Sequence, residues 1–170
     1  MNKLFLLIFF LLIQYSFGQI STTRMNEIRL QSNLADIENA LGQKLDLSKK
    51  LDEWFYSTKV THNGSEFLLN FSEYSDENNQ TQVQLYEIST RSASVKTLSN
   101  IGVGSSLDDL WKAYKNYNVS IWRMWDQKTE KYSTTDRVFQ LNDHDAGTAL
   151  YFYLRNDKVY EITLSFSEGC

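Results

Sequence analysis

The chain has 170 residues, and its 21 acidic side chains outnumber its 17 lysines and arginines, which gives a formal net charge of −4 at pH 7. This mild acidity argues against a nucleic-acid partner and against a polybasic membrane patch. The single cysteine, Cys170, excludes an intramolecular disulfide. We interpret it as a frayed terminal residue, with a disulfide between two chains as the alternative.

The first 18 residues have the pattern of a secretory signal peptide. Lys3 supplies a positive charge, and residues 4–13 are all apolar. Ser16 and Gly18 are small residues at the positions that a signal peptidase recognises. A transmembrane anchor needs about 20 apolar residues, which is far more than this run provides. We therefore expect cleavage after Gly18 and a secreted or periplasmic product with no stable membrane anchor.

The stretch Ile28–Leu41 is echoed later in the chain by Ile101–Tyr114. Each copy contains a helix-start pattern, Asn33–Asp36 and Ser106–Asp109, in which a side-chain oxygen can accept a bond from a free backbone N–H. Gly42 is typical of the residue that ends a helix in the left-handed conformation. The sequence therefore predicts two short helices at equivalent positions.

Strand patterns follow each predicted helix, and a second echo pairs Tyr86–Ser89 with Tyr160–Thr163. Apolar and polar residues alternate there with the period of two that half-buried strands show. The predicted strands are residues 53–60, 66–71, 81–90, 119–125, 137–141, 149–154 and 158–166.

These elements predict an α+β fold of two tandem repeats, each a short helix packed on an antiparallel β-meander. The first repeat is placed at residues 19–95 and the second at residues 96–170, after the signal peptide at residues 1–18. Whether the two sheets join edge to edge is left open.

No motif for catalysis or for a cofactor stands out. Gly102 and Gly104 precede a helix, but they lack the third glycine and the βαβ setting of a dinucleotide site. His144 lies in a polar stretch, residues 142–147, that does not fit a calcium-loop register. We interpret it as a hairpin turn, with an adventitious cation site or a hydrolytic centre with Asp143 and Asp145 as alternatives. We expect a non-enzymatic protein with no catalytic, cofactor-binding or metal-ligating residues.

Aromatic residues on the predicted strands give the strongest functional signal. Alternation along residues 149–154 points Tyr151, Tyr153 and then Arg155 away from the helix. Along residues 158–166, it points Tyr160 into the core and Glu161 towards the two tyrosines. Tyrosine, tryptophan and arginine dominate protein-interface hot spots. The candidate partner-binding residues are Tyr151, Tyr153, Arg155, Trp122, Trp125 and Glu161. The alternative is that aromatic residues simply suit strands, or that this face packs on the other repeat.

The run Ile101–Asp109, the strand residue Trp122 and the hairpin segment Asn156–Ile162 together resemble two related families. One is the β-lactamase inhibitor protein type, a tandem pair of helix-plus-sheet units. The other is the small outer-membrane-assembly lipoprotein type (SmpA/OmlA, BamE-like), which has one such unit. The anchoring cysteine of the lipoproteins and the disulfides of the inhibitors have no counterpart here. The resemblance implies non-enzymatic protein recognition outside the cytoplasm.

Together, these patterns predict a secreted or periplasmic protein-binding module of the inhibitor, immunity or envelope-accessory type. Its partner would be another extracytoplasmic protein. The alternative is a small-molecule or carbohydrate binder that stacks its ligand on exposed tryptophan and tyrosine side chains.

Overall fold

The computed structural model describes residues 19–48 and 50–167, so the predicted signal peptide and Cys170 lie outside the described residues. Strands account for 53% of the described residues and helices for 11%. The elements in chain order are β1 (Gln19–Ile20), β2 (Arg24–Met25), β3 (Ile28–Arg29), α1 (Leu34–Leu41), β4 (Phe55–His62), β5 (Ser65–Ser75), β6 (Thr81–Thr90), β7 (Lys96–Thr97), α2 (Leu107–Tyr114), β8 (Val119–Asp126), β9 (Lys131–Asp143), β10 (Thr148–Arg155) and β11 (Lys158–Phe166).

Seven of the strands form one antiparallel sheet in the order β4-β5-β6-β11-β10-β9-β8. The two halves of the chain meet in the middle of this sheet, where β6 pairs with β11. Four two-residue strands form a second sheet in the order β3-β2-β1-β7, in which β1 and β7 run parallel. Each strand of the large sheet was predicted, with bounds shifted by up to six residues at β9, whereas the small sheet was not predicted.

The predicted fold class is wrong. We expected an α+β fold with a helix covering each of two meanders, but the chain is predominantly β and the two halves share one continuous sheet. Each helix has only eight residues, and only two of them are buried: Ile37 and Leu41 in α1, and Leu110 and Tyr114 in α2. Such short helices cover little of a sheet. Pairing β6 with β11 also satisfies backbone groups that would otherwise lie at two open edges.

The local helix signals are confirmed. Asn33 Oδ1 accepts a hydrogen bond from the backbone N–H of Asp36 at 2.9 Å. Ser106 and Asp109 form a reciprocal capping box at the start of α2. Gly42 ends α1 with a φ of 67°, which glycine adopts without steric cost. Caps were predictable because they depend on residues only three positions apart.

The echo between Ile28–Leu41 and Ile101–Tyr114 has a local structural counterpart. In both copies, the segment before the helix pairs with the last strand of its own half through two backbone hydrogen bonds. These bonds join Gln31 N to Leu85 O (3.0 Å), Leu85 N to Ser32 O (3.0 Å), Gly104 N to Val159 O (2.8 Å) and Val159 N to Ser105 O (2.9 Å). Gln31 and Gly104 both have positive φ, 66° and 93°. The glycine of the second copy therefore serves backbone conformation and packing.

Both helices and the small sheet pack on the same face of the large sheet and share one core. The ring of Tyr114 in α2 lies 6.0 Å from that of Phe152 and 6.3 Å from that of Phe139. From the small sheet, Ile20 and Ile28 enter the same buried cluster. We call the opposite side of the large sheet the open face, because no helix or strand of the described residues lies over it.

The junction between the two halves contains a buried polar pair on the open face. Ser89 of β6 lies directly opposite Thr163 of β11, and their hydroxyl groups form a hydrogen bond of 2.9 Å. These two residues occupy equivalent places in the echoed four-residue motif. An approximate two-fold axis therefore passes between them, perpendicular to the sheet.

Replacing Thr163 with valine should destabilise the protein by about 1–3 kcal/mol, because the Ser89 hydroxyl would stay buried without its partner. The double variant Ser89→Ala/Thr163→Val should regain most of this loss, since neither side chain then carries an unpaired polar group. Urea unfolding of the wild type, both single variants and the double variant measures the coupling. Purely additive losses would contradict a hydrogen bond that stabilises the junction.

Candidate functional site

The side chains of β10 alternate between the core and the open face as predicted. Leu150, Phe152 and Leu154 are buried, whereas Tyr151 and Tyr153 are half-buried on the open face. Because successive side chains of a strand point to opposite faces, the apolar side chains of β10 hold the tyrosines in register. At the end of the strand, the side chain of Arg155 is exposed on the same face as the tyrosines.

Tyr160 was predicted to point into the core, and this prediction is wrong. The register of β10 and β11 shifts after Tyr153, so that Tyr160 and Glu161 together oppose this one residue. This extra residue is a β-bulge, which interrupts the alternation of faces. Val159 takes the core position opposite Leu154. The ring of Tyr160 lies instead on the open face, 6.3 Å from that of Tyr153.

A matching bulge occurs in β6. The pairing of β5 with β6 shifts after Asn70, which lies opposite Glu87, and leaves Tyr86 as the extra residue. The rings of Tyr86 and Phe55 pack edge to face at a centroid distance of 5.2 Å. Both copies of the echoed Tyr-Glu motif therefore mark a bulge, and both place a tyrosine and a glutamate on the open face. The echo of this motif in the sequence was the signal for these residues, although it was interpreted above only as part of the tandem repeat.

A row of side chains crosses the open face of the second half. Trp122 of β8 lies opposite Val138, which in turn lies opposite Tyr153. Beyond Tyr153, the row continues to Glu161 of β11. Trp122 is 42% exposed and lies in the edge strand of the sheet.

Trp125 lies apart from this row. The register of β8 and β9 shifts between Arg123 and Trp125, and the indole then pairs with Tyr132. The two rings pack edge to face at 5.1 Å, and they are 52% and 64% exposed. The structure thus brings five of the six predicted residues together on one face and places the sixth near the end of the β8–β9 hairpin.

Two ion pairs fix the charged groups around Tyr160. Glu161 Oε2 lies 2.6 Å from Arg91 Nη2, and Arg155 Nε lies 2.7 Å from Asp136 Oδ1. The guanidinium groups of Arg91 and Arg155 lie 5.8 and 5.1 Å from the centre of the Tyr160 ring. Exposed ion pairs of this kind add little stability. Their main effect here is to hold the two arginines in place on the open face.

Burial and negative charge shape the acid-base behaviour of this face. Burial raises the pKa of Tyr153 to about 12, and the nearby carboxylates of Glu87 and Glu161 add to the effect. Burial also raises the pKa of Glu87, partly offset by a 2.6 Å hydrogen bond from Asn70 Nδ2. Tyr153 therefore keeps its phenolic proton throughout the neutral range and can donate a hydrogen bond.

The polar stretch at residues 142–147 contains the predicted hairpin turn, which covers residues 144–147 between β9 and β10. Asp143 accepts hydrogen bonds from Thr22 Oγ1 at 2.6 Å and from the N–H of Ala146 at 3.0 Å, and these bonds lower the pKa of its carboxyl group. His144 is hydrogen-bonded to the side chain of Asn118. The turn therefore ties β9 to the small sheet. Across residues 19–48 and 50–167, no three His, Cys, Asp or Glu side chains are grouped so that they could hold a metal ion.

Neither helix in the described part of the chain is long and apolar enough to cross a bilayer. The chain matches no protein-family model, and no curated protein or solved structure matches it. The candidate site is therefore defined by its own geometry.

The ionisation of Tyr153 should make stability depend on alkaline pH. The pKa of Tyr153 is raised from 10.0 to about 12 in the folded state. The protonated side chain therefore makes its full contribution to the free energy of unfolding below about pH 10, and this contribution is lost as the pH rises through about 12. NMR titration of tyrosine Cζ resonances should show one late-titrating signal that is missing from the Tyr153→Phe variant. The free energy of unfolding of that variant should also change less across this pH range. Titration of the Tyr153 signal near pH 10 would contradict the burial of its hydroxyl group.

Proposed function

We propose that this chain is a secreted or periplasmic non-enzymatic protein-binding module, of the inhibitor, immunity or envelope-accessory type. It would bind another extracytoplasmic protein through the open face of the large sheet. The observation that carries the proposal is the row Trp122–Val138–Tyr153, with Tyr151 beside it and Arg155 at its margin. Aromatic and arginine side chains are the residues that most often dominate binding energy at protein interfaces.

The order already present on this face favours binding. Tyr151 and Tyr153 are held by alternation along β10, and an ion pair with Asp136 fixes Arg155. Side chains that are ordered before association lose less conformational entropy when a partner binds. The open face would therefore act as a rigid surface that a partner covers.

Two sequence features support the extracytoplasmic part of the proposal. Residues 1–18 have the pattern of a secretory signal peptide. The segments Ile101–Asp109 and Asn156–Ile162 resemble the β-lactamase inhibitor protein and BamE-like types, which recognise proteins outside the cytoplasm. No contact residue is carried over from those families, so the binding residues proposed here rest on the open face alone.

Replacing Tyr151 and Tyr153 together with alanine should abolish capture of the partner, because two of the three proposed aromatic anchors of the open face are removed. The protein would be immobilised, exposed to the envelope and secreted fractions of its source cells, and the captured proteins identified by mass spectrometry. Each hot-spot residue is worth about 2 kcal/mol or more, so the double variant should bind at least about 100-fold more weakly.

The matched control is the double variant Trp111→Ala/Tyr117→Ala, which removes two exposed aromatic side chains from α2 and the segment after it. This control should capture the partner as the wild type does. Circular dichroism must show that both double variants are folded. Equal capture by the wild type and the Tyr151→Ala/Tyr153→Ala variant would reject the open face as the binding surface.

The exposed pair Trp125 and Tyr132 supports one alternative function, the binding of a carbohydrate or another small molecule. Aromatic rings that stand free in solvent can stack against the apolar faces of sugars or ring systems. The pair lies near the end of the β8–β9 hairpin, outside the row on the open face. A ligand there would depend on Trp125 and would be independent of Tyr151 and Tyr153.

Thermal unfolding across a panel of oligosaccharides and peptidoglycan fragments tests this alternative. A ligand at about 100 times its Kd should stabilise the protein by about 2.7 kcal/mol, which raises Tm by several degrees. Trp125→Ala should lose the shift, whereas Trp54→Ala, which removes a tryptophan that is 56% exposed elsewhere, should retain it. A panel that produces no shift in the wild type would count against the alternative.

A further inference from the structure

One copy of the Tyr-Glu motif already binds an arginine of the same chain. Arg91 places Nη2 at 2.6 Å and Nε at 2.7 Å from Glu161 Oε2, and its guanidinium lies 5.8 Å from the centre of the Tyr160 ring. Arg91 follows Thr90, whose partner in β11 is Ile162, so the antiparallel register places it opposite Glu161. The motif thus combines a carboxylate with an aromatic ring around one guanidinium.

The other copy presents the same two residue types without an arginine. Ser165 lies opposite Glu87. By the two-fold relation between β6 and β11, Ser165 corresponds to Arg91, which lies opposite Glu161. Serine is too short to bring a cationic group to the carboxylate. No lysine, arginine or histidine of the described residues forms an ion pair with Glu87. The place beside Glu87 that corresponds to the Arg91 side chain therefore holds no cation from this part of the chain.

Asn70 holds Glu87 from the side away from Ser165, because β6 lies between β5 and β11. It lies opposite Glu87 in β5, and its Nδ2 donates to Glu87 Oε1 at 2.6 Å. Asn70 is only 7% exposed, so this bond fixes the carboxylate from within the sheet. A guanidinium carries five N–H donors and no acceptor, so it could bond the same carboxylate from the Ser165 side.

We infer that Glu87 and Tyr86 form a receiving site for an arginine side chain of the protein partner, with Asn70 holding the Glu87 carboxylate from the other side. The inference rests on the proposed protein-binding function and specifies the chemistry of one partner residue. Arginine is favoured over lysine because its planar fork can bond two acceptors at once and can lie over an aromatic ring. The Arg91 arrangement shows that this chain uses such a geometry.

The site can be tested without the partner, by titrating the isotope-labelled protein with N-acetyl-arginine methylamide. The Asn70 side-chain amide and the Glu87 backbone amide should show a saturable NMR shift, and N-acetyl-lysine methylamide should bind more weakly. The Glu87→Gln variant should weaken binding by at least about tenfold, because it removes the charge-assisted bonds. Ser165→Arg should also abolish binding, since the introduced guanidinium would occupy the site as Arg91 does beside Glu161.

The matched control is Glu66→Gln, which removes an exposed carboxylate from the neighbouring strand β5 and should bind arginine as the wild type does. No saturable shift in the wild type, or undiminished binding by Glu87→Gln, would overturn the inference, and equal affinity for lysine would overturn its preference for arginine. The partner-capture experiment separates this result from the broader proposal. If capture of the partner depends on the tyrosines but the protein does not bind arginine, only this arginine site is rejected. If the protein binds arginine but capture does not depend on the tyrosines, only the proposed aromatic surface is rejected.

Discussion

The pairing of β6 with β11 is the constraint on which the rest of the structure depends. It turns what would be two small sheets with exposed edges into one sheet with seven strands. A single sheet can share one core, and the two eight-residue helices and the small sheet together suffice to cover one of its faces. The buried hydrogen bond between Ser89 and Thr163 lies at the centre of this pairing. Because the helices and the small sheet all pack on this one face, the second face is left open.

The two bulges determine what the open face displays. In a regular strand, Tyr160 would point into the core, and the bulge brings it out while Ile162 stays buried. The same device in β6 brings out Tyr86 and keeps Ile88 buried. A bulge thus lets a strand present two large polar side chains in succession on one face without giving up its apolar anchors. The charged and aromatic groups of the candidate site depend on this irregularity.

The parts of the structure that could be predicted are those set by nearby residues. The Ser106 cap and the alternation that exposes Tyr151 and Tyr153 follow from spacings of two or three residues. Tyr160 was misplaced because a bulge breaks the period of two, and the type of residue alone does not reveal one. The fold class was missed because the edge that a strand pairs with is decided by contacts distant in sequence. The two-residue strands of the small sheet are too short to carry any periodic pattern.

The two halves of the open face carry different side chains, although an approximate two-fold axis relates their strands. Opposite the paired Ser89 and Thr163, the first half places Leu68 and the second half places Tyr151. The aromatic residues that we propose as binding anchors, Tyr151, Tyr153 and Trp122, therefore lie on one side of the junction. On the other side lies the Glu87 carboxylate, which forms no ion pair with a cation of the described chain. The partner that we propose would therefore offer an apolar surface to one side and a positive charge to the other. Because the acidic side is partly buried, attraction there would be screened by salt less than attraction between exposed charges. Two unequal halves of one face can thus specify both the position and the orientation of a partner, which a symmetric face could not do.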